Sequence, residues 1–244
     1  MAERFFCPGA SPDLPSFVLE DDEARHLARV RRVAVGEFVE IFNGQGFATR
    51  AEVVSIRKDQ VELRAIGSPL PDRAPGLSLT LATAVPKGDR FDWLIEKATE
   101  IGVSRLVPIR TERSAVDPRA TKLDRVRRNV IEASKQCGRN QLMEIAPTIP
   151  LAVLLAKQTG TRLLCHPDGS PFPDGLDPTA TRSACVAVGP EGGFSEREVT
   201  AARTAGWTIM SLGVTLLRIE TAGLVACARL LASAGSGNLS ERKD

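Results

Sequence analysis

The chain has 244 residues, 43% hydrophobic and 25% charged, with 32 Lys and Arg against 30 Asp and Glu for a net charge of +2. That composition is ordinary for a globular protein and excludes wholesale disorder, and the near-neutral total excludes a polycation that coats nucleic acid indiscriminately. No stretch reaches the roughly 18 apolar residues of a membrane span, the start Met1-Ala-Glu-Arg-Phe-Phe has no secretory pattern, and five scattered cysteines form no CxxC. A cytoplasmic location with no membrane contact, no disulfide framework and no metal site is therefore expected. Tyrosine is absent and there are two histidines, so a tyrosine acid is excluded and a histidine-rich metal centre is disfavoured.

The first part reads as short strands. A helix is expected over 21–31, and strands over 38–42, 47–54 and 60–66, with Asn43-Gly44 as a hairpin signal between the first two. Together they predict a small β-barrel of about 70 residues. Residues 67–76 hold three prolines and two glycines, the composition of a linker. Beyond it strands alternate with helices. Strands are expected over 77–85, 105–109, 162–165, 184–188 and 208–212, and helices over 89–101, 118–137, 196–205 and 220–232. This alternation predicts an α/β domain with a mostly parallel sheet covered on both faces. Residues 235–244 are polar and read as a frayed tail.

Two junctions stand out. In Ala187-Val-Gly-Pro-Glu-Gly-Gly-Phe-Ser195 an apolar strand ends, a glycine turn follows, and a helix opens at a Ser195/Glu198 capping box with Gly206 as its stop. Such a turn directs backbone N–H groups at a ligand beside a positive helix end, at the carboxyl edge of a sheet where ligands of α/β folds bind; a plain chain reversal is the alternative. The G-x-G-x-x-G and P-loop patterns are absent, which removes the main support for a dinucleotide or nucleotide-triphosphate site. In Ser211-Leu-Gly-Val-Thr-Leu-Leu-Arg-Ile-Glu-Thr-Ala-Gly223, Arg218 and Glu220 fall between a strand and a helix, where catalytic groups are commonly presented; a surface ion pair is the alternative.

Taken together, Gly189–Gly193 and Leu212-Gly213…Leu216-Leu217-Arg218-Ile219-Glu220-Thr221-Ala222 resemble the SPOUT methyltransferases that methylate N3 of a uridine in 16S ribosomal RNA, the RsmE family. Glu3-Arg-Phe-Phe6, His26-Leu-Ala-Arg-Val30 with Gly36, Lys87-Gly-Asp-Arg90 with Glu96-Lys-Ala-Thr-Glu-Ile-Gly102, and Glu132-Ala-Ser-Lys-Gln-Cys-Gly-Arg139 extend the resemblance over most of the chain. Thr215 departs from it, standing where the family often has Arg. The resemblance implies a PUA-like, RNA-binding β-barrel over 1–72 and a SPOUT domain over 73–244 whose trefoil knot holds S-adenosylmethionine, usually at a homodimer interface. The cofactor would lie against Leu164, His166, Gly189, Glu191, Gly192, Gly193, Leu212, Gly213 and Leu217.

Uridine N3 becomes a good nucleophile only on losing its proton. The reaction therefore needs alignment, a proton acceptor and a donor or cation for charge on the neighbouring carbonyls. Arg218 is the candidate for the last role. Glu220 is the candidate base or the group that orients Arg218; otherwise water or the RNA takes the proton. Phosphate contacts are expected where charge is local. Residues 110–139 hold nine cations against four acids, residues 25–32 four arginines and no acid, and residues 1–72 nine cations against twelve acids. Arg25, His26, Arg29 and Arg32, with Arg110, Arg113, Gln136 and Arg139, are the candidates, and 16S ribosomal RNA in the small subunit is the expected partner. The competing readings are a non-catalytic RNA-binding protein on the same scaffold, a SPOUT enzyme with another target nucleotide, and a dinucleotide-dependent oxidoreductase that lacks its fingerprint.

Overall fold

The computed structural model describes residues 3–72, 75–114, 123–171 and 182–235. The expected start of a helix at 118–122 and the tail at 236–244 lie outside these. The chain forms two compact units, one of Met1–Ala74 with Ile131–Leu142 and one of Pro75–Val130 with Met143–Asp244.

In the first unit, strands β1 (Arg4–Phe6), β2 (Ser16–Glu20), β3 (Phe38–Phe42), β4 (Ala48–Ile56) and β5 (Gln60–Ile66) make a sheet of order β1-β3-β4-β5-β2, antiparallel except for β1 on β3. Alternate residues point inward: Phe17 and Leu19 from β2, Val39 and Ile41 from β3, and Val61 and Leu63 from β5 are buried in one cluster. The edges approach each other, the Cys7 thiol donating to the Val18 carbonyl at 3.6 Å. Strands β1 and β2 are additions to the strands expected from the sequence.

The helix expected over 21–31 is broken into α1 (Asp21–Arg25) and a π-helical turn at His26–Arg31, which ends at Arg32 in the left-handed region with φ 53°. The Asn43-Gly44 signal also resolves differently from a tight hairpin. The loop accepts a neighbour: Leu142 N–H donates to the Gly44 carbonyl at 3.0 Å and Gly46 N–H to the Asn140 carbonyl at 3.2 Å. A Cβ on Gly44 would stand 2.9 Å from Leu142 and Phe6, so glycine is required for that approach.

In the second unit, β6 (Ser78–Thr83), β7 (Arg105–Arg110), β8 (Glu144–Ile145), β9 (Ile149–Pro150), β10 (Thr161–Pro171), β11 (Ser183–Val188) and β12 (Thr208–Ser211) are all parallel, in the order β12-β10-β11-β6-β7-β8 with β9 on β7. Helices α2 (Arg90–Ile101), α3 (Leu123–Cys137, of which residues 131–137 belong to the first unit), α4 (Leu151–Lys157) and α5 (Glu196–Thr204) connect them, and α6 (Ile219–Gly235) follows β12. Strand β11 shows why both faces are covered. Cys185 and Ala187 join a buried cluster with Leu154, Val199 and Trp207 of the α4 and α5 side. Ala184, Val186 and Val188 point the other way, where α6 packs on β6 and β11 and pairs with α2. Helix α2 ends where expected, Gly102 taking φ 101°, and α5 opens on the anticipated reciprocal cap between Ser195 and Glu198. Helix α4, at seven residues, went unread.

Two thiols are locked in this interior. Burial pushes Cys185 up to about 12 and Cys227 well above its ordinary value of 9.0. The fold favours the neutral thiol, so the associated stability is complete below pH 9.0 and is lost as pH rises towards 12, because the unfolded chain gives up its protons first. Melting temperature is expected to fall more steeply with alkaline pH in the native chain than in Cys185→Ala, and a thiol reagent at neutral pH is expected to modify both cysteines only on unfolding. Equal slopes would count against the assignment.

Candidate functional site

A cavity of about 1030 Å³ lies at the carboxyl ends of the neighbouring strands β10, β11 and β12, the edge where parallel sheets bind ligands. Three segments wall it: 165–171 in the second half of β10, 188–194 from the end of β11 and 211–219 from the end of β12. Both junctions singled out in the sequence therefore face one space. Of the expected cofactor residues, His166, Gly189, Glu191, Gly192, Gly193, Leu212, Gly213 and Leu217 line it. Leu164 does not. It is fully buried in the core, because side chains alternate along β10 and its neighbour Cys165 takes the cavity side.

The glycine turn is held by its surroundings. Gly193 N–H donates to the Pro190 carbonyl at 2.8 Å with φ 69°, a left-handed conformation that suits glycine. Arg113, expected among the RNA contacts, donates from Nη1 to the Gly192 carbonyl at 2.8 Å and lines the cavity. The next residue back, Glu112, donates its N–H to Glu198 Oε1 at 2.9 Å. The segment after β7 thus braces the turn. A Cβ at Gly193 or Gly213 would meet nothing within 4 Å, so bare backbone borders open space at both positions. That cradle suits a ligand recognised through main-chain N–H and C=O groups and apolar contact.

The third wall was only partly foreseen. Strand β10 does not stop at residue 165 but runs to Pro171. Its pairing with β12 jumps, Cys165 and later Ser170 both standing opposite Met210. The excursion between them carries His166, Pro167 and Gly169 to the cavity. His166 Nδ1 accepts the Asp168 N–H at 3.2 Å, which leaves Nε2 as the donor of the neutral ring. Pro167, Gly169 and Pro171 hid this stretch, since such residues read as loop.

Arg218 lines the cavity and is exposed, and no ion pair reaches it among the described residues. Glu220 does not orient it. The Glu220 side chain is 7% exposed and its Oε1 lies 3.8 Å from Arg90 Nη1, while Oε2 is buried without a hydrogen-bond partner among the described residues. Glu220 is also absent from the cavity wall. The pairing expected between the two residues is therefore corrected to Glu220 with Arg90, a residue present in the Lys87-Gly-Asp-Arg90 motif but given no role there.

The candidate RNA contacts separate by environment. Arg29, Arg32, Arg110 and Gln136 are exposed. Arg25 is exposed but faces Asp22 and Asp59. His26 accepts from Arg31 Nε at 3.3 Å and packs edge-on against Phe5. Arg139 is only 7% exposed, and burial pulls its guanidinium below its usual range. It is thus interior, where the sequence suggested surface, and its carbonyl accepts from Arg4 at 2.9 Å. Among the described residues no helix is long and apolar enough to cross a membrane, and no cluster of three metal-ligating side chains occurs.

Comparison with known proteins agrees with this geometry. Residues 73–231 match the RNA methyltransferase domain family and residues 19–66 the RNA methyltransferase PUA domain. Ribosomal RNA small subunit methyltransferase E of Aquifex aeolicus is 33% identical over 214 residues, covering 84% of this chain and 89% of the relative. The crystal structure of the protein of that name from Neisseria gonorrhoeae, bound to S-adenosyl methionine, is 30% identical with a TM-score of 0.87 over 95% of this chain and 98% of that one. A Legionella pneumophila methyltransferase in complex with the same cofactor is 30% identical with a TM-score of 0.82 over 96% and 98%.

Proposed function

The chain belongs to the ribosomal RNA small subunit methyltransferase E family, and from that premise we propose that it methylates N3 of a uridine in 16S ribosomal RNA, using S-adenosylmethionine. The observation that carries this reading is the single cavity onto which the glycine turn, the β10 excursion and the segment before α6 all open. The bound cofactor supplies an electrophilic methyl group on a sulfonium. The chain's own contribution is position and charge. Backbone at Gly189, Gly192, Gly193, Leu212 and Gly213 holds the cofactor, with Leu217 and Val188 as apolar walls. Arg218 stabilises negative charge on the uridine carbonyl oxygens as N3 loses its proton. Glu220 lies off the cavity wall, so water or the RNA takes the proton, and Glu220 acts through the placement of its segment.

Arg29, Arg32, Arg110 and Gln136 are the proposed RNA contacts, with affinity that falls as salt rises. Val214 and Leu216, on the wall before α6, are 105% and 86% exposed. Large apolar side chains in such a position favour coverage by a second copy, and the active form is proposed to be a cytoplasmic homodimer with the α6-side segment threaded as a knot. Nucleoside mass spectrometry of 16S ribosomal RNA from cells lacking the protein tests the function. One 3-methyluridine is expected to disappear and to return on complementation. An unchanged nucleoside profile would refute the assignment.

A further inference from the structure

Arg90 opens α2 and spreads its guanidinium over three partners. Nε donates to the Lys87 carbonyl at 3.1 Å, Nη2 lies 3.5 Å from Glu191 Oε1, and Nη1 lies 3.8 Å from Glu220 Oε1. Glu191 belongs to the glycine turn and Glu220 to the first turn of α6, so one side chain touches the segments that carry two walls of the cavity. The anchor to Lys87 fixes where the fork points. The acid two residues along α2, Asp92, is engaged by Arg125 and Asn129, which leaves Arg90 to its two glutamates.

The partners are unequal in exposure. Glu191 is 44% exposed and could be served by water, whereas Glu220 is 7% exposed with its second oxygen lacking a partner among the described residues. A buried carboxylate deprived of its cation is costly, so the Glu220 segment depends on Arg90. We infer that Arg90 is a positioning residue, a clamp that ties the glycine turn to the start of α6 and thereby sets the width of the cofactor cavity. This rests on the reading of that cavity as the S-adenosylmethionine site. Lysine, a single point charge, cannot anchor on Lys87 and reach both glutamates as the planar fork does.

Calorimetric titration with S-adenosylmethionine tests the clamp in Arg90→Ala, Arg90→Lys, Glu191→Gln and the double variants. Arg90→Ala is expected to weaken binding about tenfold and Glu191→Gln about threefold, with Arg90→Lys in between. Adding Glu191→Gln to Arg90→Ala is expected to weaken it no further, since both changes remove one link. An interior stabiliser with no role at the cavity would lower the melting temperature yet leave the affinity of the folded protein intact. Affinity within twofold of the native value in folded Arg90→Ala, or additive effects in the double variant, would overturn the clamp. Should Arg90→Ala not fold, the Arg90→Lys and Glu191→Gln cycle decides by the same criterion. Failure of the unaltered protein to bind S-adenosylmethionine would overturn the cofactor reading and the clamp with it, a result distinct from normal binding that resists these substitutions.

Discussion

Replacing Arg218 by alanine is expected to lower single-turnover methyl transfer by about 10²- to 10³-fold, the usual cost of deleting one donor aimed at developing charge, while cofactor affinity stays within about twofold. The two quantities separate because of where the groups sit. The cofactor candidates act through main chain at glycine positions, and Arg218 is an exposed side chain on the wall with no described ion partner to orphan. Its removal empties one corner of the cavity and leaves no buried charge behind. Arg218→Lys keeps the charge but loses the planar donor pair, so its rate is expected between the two. Near-normal turnover by Arg218→Ala would remove the residue from the mechanism, and a parallel loss of cofactor binding would make it part of the binding wall instead.

This separation also explains what could be read from the amino-acid order. The glycine turn was legible because three local signals coincide there: an apolar strand, the Gly-Pro-Glu-Gly-Gly run and a Ser195/Glu198 cap that the structure forms reciprocally. Helix α2 was legible from Phe91, Leu94, Ile95 and Ala98 at helical spacing with Gly102 behind them, and all four are buried. Other features depend on partners distant in sequence. Arg113 stands in a cationic stretch, and only the fold reveals the Gly192 carbonyl that it serves. Arg139 carries the same charge as its surface neighbours but is buried beside the Asn43-Gly44 loop's partners. Arg218 precedes α6 and is exposed on the cavity wall, whereas Glu220 is in its first turn and buried, so the two side chains have different surroundings. Arg90, 130 positions earlier, supplies the cation.

Charge shows the same division between local and global. The sum of +2 conceals a first segment that is net acidic and arginine clusters that are partly consumed internally. Arg25 is spent on Asp22 and Asp59, and Arg31 on Glu3 at 3.1 Å. Arg29 and Arg32 remain exposed on and just after the π-helical turn. The wider turn places them where an ideal helix through 21–31 would not, so the position of these two proposed RNA contacts follows from an irregularity that periodicity alone does not register.

Gly169→Ala is expected to cost more than any other small change at the cavity. A Cβ on residue 169 would stand 2.6 Å from both the nitrogen and the Cα of Met210, closer than real Cβ atoms come to backbone. Nothing there can yield cheaply. Met210 is fully buried, it sits in β12, and it is the residue to which β10 returns at Ser170 after its excursion. The added methyl must push the excursion off β12, and with it His166 and Pro167, which form the third wall. Overpacking of this kind costs about 1–3 kcal/mol, or roughly 2–12 °C in melting temperature at 2–4 °C per kcal/mol for a chain of this size. The displaced wall is expected to weaken S-adenosylmethionine binding and to lower methyl transfer by about a hundredfold, because a misplacement of about 1 Å is enough for such a loss of rate. Gly76→Ala is the control: a Cβ there would meet nothing within 4 Å, and the residue does not line the cavity. Calorimetry and thermal melting on the two variants decide the matter. Equal, mild effects would mean that β10 and β12 can separate at Gly169 without disturbing the cavity, and that the excursion is not the wall it is taken to be.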